Sequence, residues 1–232
     1  MWIDIHSHVL PNVDDGAKDI DMCLDMLNIL FNQSVDVLVC TPHYYSCKGT
    51  VDSFLSKRNN EYKTINKFLN ESCPKLLLGA EVRVEFGVSE NDIEKLTIKN
   101  TNLILLEFLN SYFEDWMIGE IENIVYSDSL IPIFAHVERY LDLFSTNDWN
   151  KIFSFSGAIA QFSVESLKFR AVRSFARDLI KSNIPIILGS DAHNTTIRPP
   201  KFDVANKLFF NTKKYNDIFF NVKSTQQVLC LN

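Results

Sequence analysis

Seven glycines and seven prolines in 232 residues leave little material for phosphate-cradling loops or flexible linkers. Neither G-x-x-x-x-G-K-[ST] nor G-x-G-x-x-G occurs, which excludes a P-loop or a dinucleotide fingerprint, and no G-x-S-x-G elbow offers a serine nucleophile. The five cysteines (Cys23, Cys40, Cys47, Cys73, Cys230) are an odd number with no C-x-x-C pair, so they read as reduced thiols rather than a disulfide frame. None is followed six residues later by arginine, the arrangement of a cysteine-dependent phosphatase. No apolar run reaches the ~18 residues of a membrane span. The opening "MWIDIHSHVL" has neither the basic start nor the apolar core of a signal peptide, and the expected location is cytoplasmic. A net charge of −6 and a pI near 5.4 leave no electrostatic footprint for nucleic acid.

What the chain does have is apolar mass: 46% hydrophobic residues and 18 phenylalanines, enough for a sizeable core in a single domain spanning 1–232. Seven short runs, "MWIDI", "DVLVCT", "KLLLGA", "NLILLEF", "IPIFAH", "GAIAQFS" and "IPIILGS", are almost continuously apolar, as parallel strands covered on both faces are. Segments of helical period lie between them. One places Ile20, Leu24, Leu27 and Phe31 on a face behind Asp19 as N-cap. Others carry Phe54, Leu55, Tyr62, Ile65 and Leu69, and Leu167, Ala171, Phe175 and Leu179. Strands alternating with helices predict an α/β fold of parallel strands. The stripe Arg170, Arg173, Arg177, Lys181 reads as the solvated face of its helix.

The chemistry sits at the strand ends. All five histidines (His6, His8, His43, His136, His193) fall at or just beyond the C-terminal end of an expected strand. Glu81, Glu107 and Asp191 follow the same rule, and Asp14 and Asp15 lie in the loop after the first strand. In a parallel barrel these ends share one face, where such folds place their active sites. Residues i and i+2 on a strand point the same way, so His6 and His8 can converge on one ion. His136 and Glu138 have the same spacing, unless a turn intervenes. Imidazoles and carboxylates without thiolates suit Mn²⁺, Fe²⁺ or Zn²⁺, and so many ligands imply two or three ions bridged by carboxylates. Asp4 shares the face of His6 and His8 and is expected to be structural or to orient an imidazole. Cys40 and Cys47 flank His43 without a zinc-site spacing and are expected to pack as small apolar groups. Arg139 and Arg198, close behind His136 and His193, offer planar donors to a phosphate. The ligand carboxylates carry less charge than three divalent cations, so the site is suited to a dianion.

The motifs "DIHSH", "DDG", "TPH", "GAE", "LLEF", "AHVERY" and "SDAHN…RPP", in this order, resemble the PHP (polymerase and histidinol phosphatase) superfamily, and within it the bacterial protein-tyrosine phosphatases of capsule and exopolysaccharide genes. The resemblance runs from residue 1 to about 200 and implies a distorted (β/α)7 TIM-like barrel with a three-metal, often manganese-loaded, site. It implies that His6, His8, Glu81 and Asp191 hold one ion, Glu81, Glu107 and His136 a second, and Asp15, His43 and His193 a third. Residue chemistry does not choose between Asp14 and Asp15; the family pattern points to Asp15. Arg139 and Arg198 match the family's phosphate contacts. The implied reaction is hydrolysis of a phosphate monoester by metal-activated water, on a phosphotyrosine protein such as the tail of a membrane-associated bacterial tyrosine kinase. A small-molecule phosphatase (on histidinol phosphate, for instance), a metal-dependent amidohydrolase and a non-catalytic metal-binding domain are the competing readings. The acidic charge disfavours a nuclease. Two departures from the family stand out: Phe162–Ser163 where an Asn is usual, and no Asn-Pro in "FFNVKSTQQVL". An aromatic rim of Tyr44, Tyr45, Phe86, Tyr112, Phe113 and Trp116 is expected to favour an aryl phosphate.

Overall fold

The computed structural model describes residues 2–210 and 213–228. Among the described residues, nine parallel strand segments are interspersed with helices. They are β1 (Trp2–Ser7), β2 (Val35–Cys40), β3 (His43–Tyr44), β4 (Lys75–Leu78), β5 (Glu81–Arg83), β6 (Leu103–Glu107), β7 (Ile131–Phe134), β8 (Ile159–Ser163) and β9 (Ile186–Gly189). The principal helices are α1 (Ile20–Asn32), α2 (Val51–Ile65), α3 (Asp115–Asp128), α4 (Thr146–Ile152), α5 (Arg170–Lys181), α6 (Asp203–Phe210) and α7 (Asn216–Val228).

The seven expected apolar runs all appear as strands, but they form two parallel sheets rather than one ladder: β1-β2-β4, and β3-β5-β6-β7-β8-β9. Two chain runs contribute to both sheets, because β2 breaks before β3 at Thr41–Pro42 and β4 breaks before β5 at Gly79–Ala80. Pro42 has no N–H to continue a ladder. Backbone bonds still bridge the break, from Gly79 N to Cys40 O (2.9 Å) and from Glu81 N to Pro42 O (3.1 Å). The buried guanidinium of Arg58, on α2, donates to Gly79 O at 2.7 Å and so satisfies a carbonyl that the break frees. At the other seam, Asp191 N donates to His6 O, and His8 N to Ala192 O, tying the end of β1 to the turn after β9.

Burial follows period two. Ile3, Ile5, Val37, Val39, Leu103, Leu105, Ile133, Ile159 and Ile187 form a small cluster on one face of the strands. Their neighbours in sequence face the helices in a larger cluster. Apolar residues on both faces account for the near-continuous hydrophobic runs.

The helices depart from the expected faces in detail. Asp19 does cap α1, accepting from Met22 N, but the buried face is Cys23, Met26, Leu27 and Leu30, with Phe31 exposed. The stripe is thus turned by about one position, burying the unbranched Met26 and the small Cys23. Thr50 caps α2, which ends at Ile65, so Leu69 packs from the loop beyond. On α5 the buried residues are Val172, Ala176 and Leu179, while Ala171 faces solvent and Leu167 lies in the turn before the helix. The basic stripe of α5 is only partly solvated. Arg177 pairs with Asp217 at 2.6 Å, and Arg173 lies over the Tyr215 ring at 4.9 Å, holding the start of α7. Cys230 lies outside the described residues. Among the described cysteines, Cys23 and Cys40 are buried as small apolar groups, but Cys47 is exposed, its thiol 3.5 Å from Glu85. Glu85 also accepts from Ser46 Oγ and Cys47 N. No helix among the described residues is long and apolar enough to cross a membrane.

Candidate metal centre

The expected ligands come from the C-terminal ends of strands, from the loops after them, or, for His43 and Glu81, from the first residues of the short strands that follow β2 and β4. His6 belongs to β1 and His8 follows it; His43 opens β3, Glu81 opens β5, and Glu107 closes β6. His136 comes two residues after β7, and Asp191 and His193 follow β9. His6, His8, Glu81, Glu107, His136, Asp191 and His193 are all buried, an arrangement that water does not stabilise and only mutual pairing or an ion can.

Three groups of donor atoms converge closely enough for one ion each: His6, His8 and Glu81; His43, Glu81 and Glu107; and His8, Asp15, His43 and His193. Asp191 joins the first, its Oδ1 standing 3.5 Å from His6 Nε2 and 3.3 Å from His8 Nε2. His136 joins the second, with Nε2 2.9 Å from Glu81 Oε1 and 3.5 Å from Glu107 Oε1. Glu81 is common to two groups, as a bridging carboxylate must be. His43 stands between the second and third, with Nδ1 2.9 Å from Glu81 Oε2 and Nε2 3.7 Å from Asp15 Oδ1. Glu81 Oε2, His43 Nδ1 and His193 Nε2 are buried with no hydrogen-bond partner, although other donor atoms lie nearby. Such orphaned, converging lone pairs fit a set of cations.

The tautomers agree. Gln161 Oε1 accepts the backbone N–H of His136 at 2.7 Å, which fixes that atom as the oxygen, and it also lies 3.0 Å from His6 Nδ1. The shared proton is therefore on Nδ1, leaving Nε2 of His6 free to ligate. Asp14 Oδ2 holds His8 Nδ1 at 2.6 Å, and the carbonyl of Asp191 holds His193 Nδ1 at 3.0 Å. Three imidazoles thus turn Nε2 toward the same centre. Burial opposes charge on His8, but the Asp14 carboxylate raises its pKa well above the usual value. For Asp14, burial is outweighed by His8 and by N–H bonds from His43 and Gly16, which hold its carboxyl well below the usual range. Asp14 is therefore engaged as an orienting group, while the side chain of Asp15, 69% exposed, reaches toward His43 and His193.

Two backbones are bent to reach the site. His136 has φ +30° and Asp191 φ +52°, in the sparsely populated left-handed region. The turn at His136 also corrects the His136/Glu138 spacing: alternation fails there, and Glu138 swings to accept from Ser163 N at 3.2 Å. Asp4 takes the structural of its two expected roles. Its carboxylate takes the N–H groups of His6 (3.2 Å) and Ser190 (2.8 Å), bracing backbone rather than an imidazole. Burial raises its pKa to about 6, against those hydrogen bonds. Arg139 and Arg198 both place Nη2 on Oδ2 of Asp191, the latter at 2.5 Å, and both guanidiniums are partly open to solvent.

The expected aromatic rim is mixed. Tyr44 is buried and Phe113 packs on Phe108 and Phe144. Tyr45 stacks on His43 at 5.0 Å, with the Arg83 guanidinium 3.8 Å from its ring centre. Phe86, 83% exposed, meets Trp116 edge-on at 6.1 Å, and Tyr112 is exposed. Sequence reasoning missed Gln161, Arg83 and the orienting role of Asp14. Gln161 did leave a signal, as a lone amide inside the apolar "GAIAQF". Of the Phe162–Ser163 departure, Phe162 is fully buried against Phe175, while Ser163 gives its backbone N–H to Glu138.

Comparison with known proteins agrees with the geometry. A family model described as capsular polysaccharide synthesis, CpsB/CapC, matches residues 2–228. The chain is 28% identical to tyrosine-protein phosphatase YwqE of Bacillus subtilis (strain 168), over 92% of this chain and 85% of that protein. It is 25% identical to tyrosine-protein phosphatase CpsB of Streptococcus agalactiae serotype III, over 98% of each. A solved structure from work on YwqE of B. subtilis and CpsB of Streptococcus pneumoniae, described as unique metal-dependent tyrosine phosphatases, superposes with a TM-score of 0.74 at 22% identity, covering 98% of this chain and 94% of that one.

Proposed function

The chain belongs to the capsular polysaccharide synthesis CpsB/CapC family, and from that membership and its site we propose that it is a metal-dependent protein-tyrosine phosphatase. The observation that carries the reading is the meeting of Arg139 and Arg198 at Asp191, beside a buried cluster of histidines and carboxylates. Cations and two guanidiniums around one opening suit the dianion of a phosphate monoester.

We assign His6, His8, Glu81 and Asp191 to one divalent ion, Glu81, Glu107 and His136 to a second, and Asp15, His43 and His193 to a third, with Mn²⁺ the expected metal. Bound ions would lower the pKa of a coordinated water and neutralise phosphate oxygens. The protein's own residues do the rest. Gln161, Asp14 and the Asp191 carbonyl hold three imidazoles in the ligating tautomer. Arg139 and Arg198 each spend one Nη2 on Asp191, and their remaining N–H groups are available to the equatorial oxygens of the phosphoryl group in flight. A tyrosinate leaving group, with a pKa of about 10, needs less protonation than an alkoxide. The exposed Phe86, Trp116 and Tyr112 supply apolar faces for the substrate's ring and its neighbours.

The substrate we infer is a tyrosine-phosphorylated protein, the tail of a membrane-associated tyrosine kinase of capsule or exopolysaccharide synthesis, met in the cytoplasm. The two sheets, joined at the Gly79–Ala80 break and the Ser7–Ala192 bridge, support a distorted (β/α)7 barrel forming one domain over 1–232.

Chelation followed by reconstitution with Mn²⁺, Fe²⁺ or Zn²⁺ tests the reading, with kcat/KM compared across a phosphotyrosyl peptide, a phosphoseryl peptide and histidinol phosphate. Turnover should vanish on chelation, return with metal and be highest on the phosphotyrosyl peptide. Equal or higher kcat/KM on histidinol phosphate would refute the protein substrate and leave only the phosphatase class.

A further inference from the structure

The metal centre opens sideways into a cavity of about 520 Å³ between the loop after β1, β3 and the first turns of α2. Asp15, His43, Tyr45, Lys48, Ser53 and Lys57 are among the residues that line it. Its size is that of two or three side chains rather than of a phosphate alone. Of its charged groups, Asp14 is committed to His8 and Asp15 turns toward His43 and His193, so Lys48 and Lys57 are the charged lining residues outside the candidate metal centre. Lys57 Nζ makes one hydrogen bond, to Val13 O at 3.0 Å, leaving two protons to donate. Lys48 Nζ lies 4.1 Å from the centre of the Tyr45 ring, while Arg83, on the same ring, is paired with Glu107 at 3.4 Å. In a chain of net charge −6 this pair of lysines is local, not compositional. A second groove, beginning at Ser46 and Cys47, has the reverse character, lined by Glu85 and Glu90 with Phe86, Leu109 and Trp116.

We propose that the Lys48/Lys57 cavity is a specificity subsite that receives an anionic group of the substrate chain flanking the phosphotyrosine, a carboxylate or a second phosphate, and so selects acidic target sequences. The assignment rests on the phosphatase reading of the adjoining centre and adds to it a direction. The anionic flank of the substrate lies toward α2, and its apolar or basic flank lies over Phe86 and Trp116. The attraction is long-ranged and solvent-accessible, so it acts on KM and weakens with salt.

Paired phosphotyrosyl peptides, identical except for Glu, phosphotyrosine or Lys at the flanking positions, test this on the Mn²⁺-loaded enzyme. p-Nitrophenyl phosphate, which has no flank, reads the metal centre alone. The wild type should favour the Glu over the Lys peptide by about fivefold in kcat/KM, the order expected of partly exposed ion pairs. The phosphotyrosine peptide matching or exceeding Glu would identify phosphate as the preferred anion, and Glu alone a carboxylate; either supports the subsite. Lys48→Glu, which leaves the Lys57–Val13 bond in place, should erase the preference, and Lys48→Glu with Lys57→Glu should invert it toward the Lys peptide. No preference in the wild type, or an unchanged preference in the variants, would overturn the proposal. So would an equal loss on p-nitrophenyl phosphate, since the lysines would then serve the scissile phosphate. If p-nitrophenyl phosphate is not hydrolysed at all, the phosphatase reading fails first and the subsite with it.

Discussion

Gln161 Oε1 lies 3.0 Å from His6 Nδ1 while accepting the His136 N–H at 2.7 Å, so one amide oxygen on β8 sets candidate ligands delivered by β1 and the turn after β7. Replacing Gln161 with Leu should lower metal affinity about 10–100-fold, the usual cost of losing an outer partner of a ligating histidine. Gln161→Glu keeps an acceptor and should retain most of it. Metal titration of the apo-protein reads this without turnover, and equal affinities in Gln161→Leu and wild type would remove the positioning role.

Arg139→Ala and Asp191→Asn should fail differently. The first removes donors to phosphate and should keep the metal while kcat falls by about 10²–10³, by analogy with a lost oxyanion donor. The second removes a proposed ligand and the anchor of both arginines, so metal content and turnover should fall together. Metal analysis alongside kinetics separates them; full metal in Asp191→Asn would take that carboxylate out of the ligand set.

Gly189→Ala tests how closely β9 presses on the centre. A Cβ at Gly189 would stand 2.5 Å from His6 Cβ and 3.0 Å from Gln161 Nε2, with buried neighbours on both sides. Overpacking of this kind costs about 1–3 kcal/mol, and the displaced His6 should weaken metal binding as well. A denaturant midpoint unchanged from wild type would show that the strands have room to part.

Lys223 carries a pH dependence far from the centre. Its ammonium sits 3.6 Å over the Trp2 ring, and burial lowers its pKa from 10.5 to about 8. Below pH 8 both folded and unfolded chains are protonated at this side chain and the burial cost is fully felt. Between about 8 and 10.5 only the unfolded chain keeps the proton, so this contribution to stability improves as pH rises. Lys223→Met should therefore be more stable than wild type at pH 7, with the difference shrinking toward pH 10.5. Thermal melts across that range check the sign, and a gap that widens with pH contradicts it.

The alternation of apolar runs with helical segments sufficed for a parallel α/β fold, because strands buried on both faces must be hydrophobic throughout. Histidines and acids at the ends of those runs sufficed to mark the ligand candidates, since a parallel arrangement carries all C-terminal strand ends to one side. Other features are decided by distances between segments far apart in sequence. The i, i+2 rule paired Glu138 with His136, but the left-handed turn at His136 sends that carboxylate to β8 instead. Asp14 and Asp15 are alike as residues; only the approach of His8 to one and of His43 and His193 to the other divides their roles. Gln161 acts on His6 across 155 positions of chain, and no local pattern encodes that contact. Local periodicity fixes which faces are buried, whereas the orientation of each ligand is set by whichever acceptor the folded strands bring behind it.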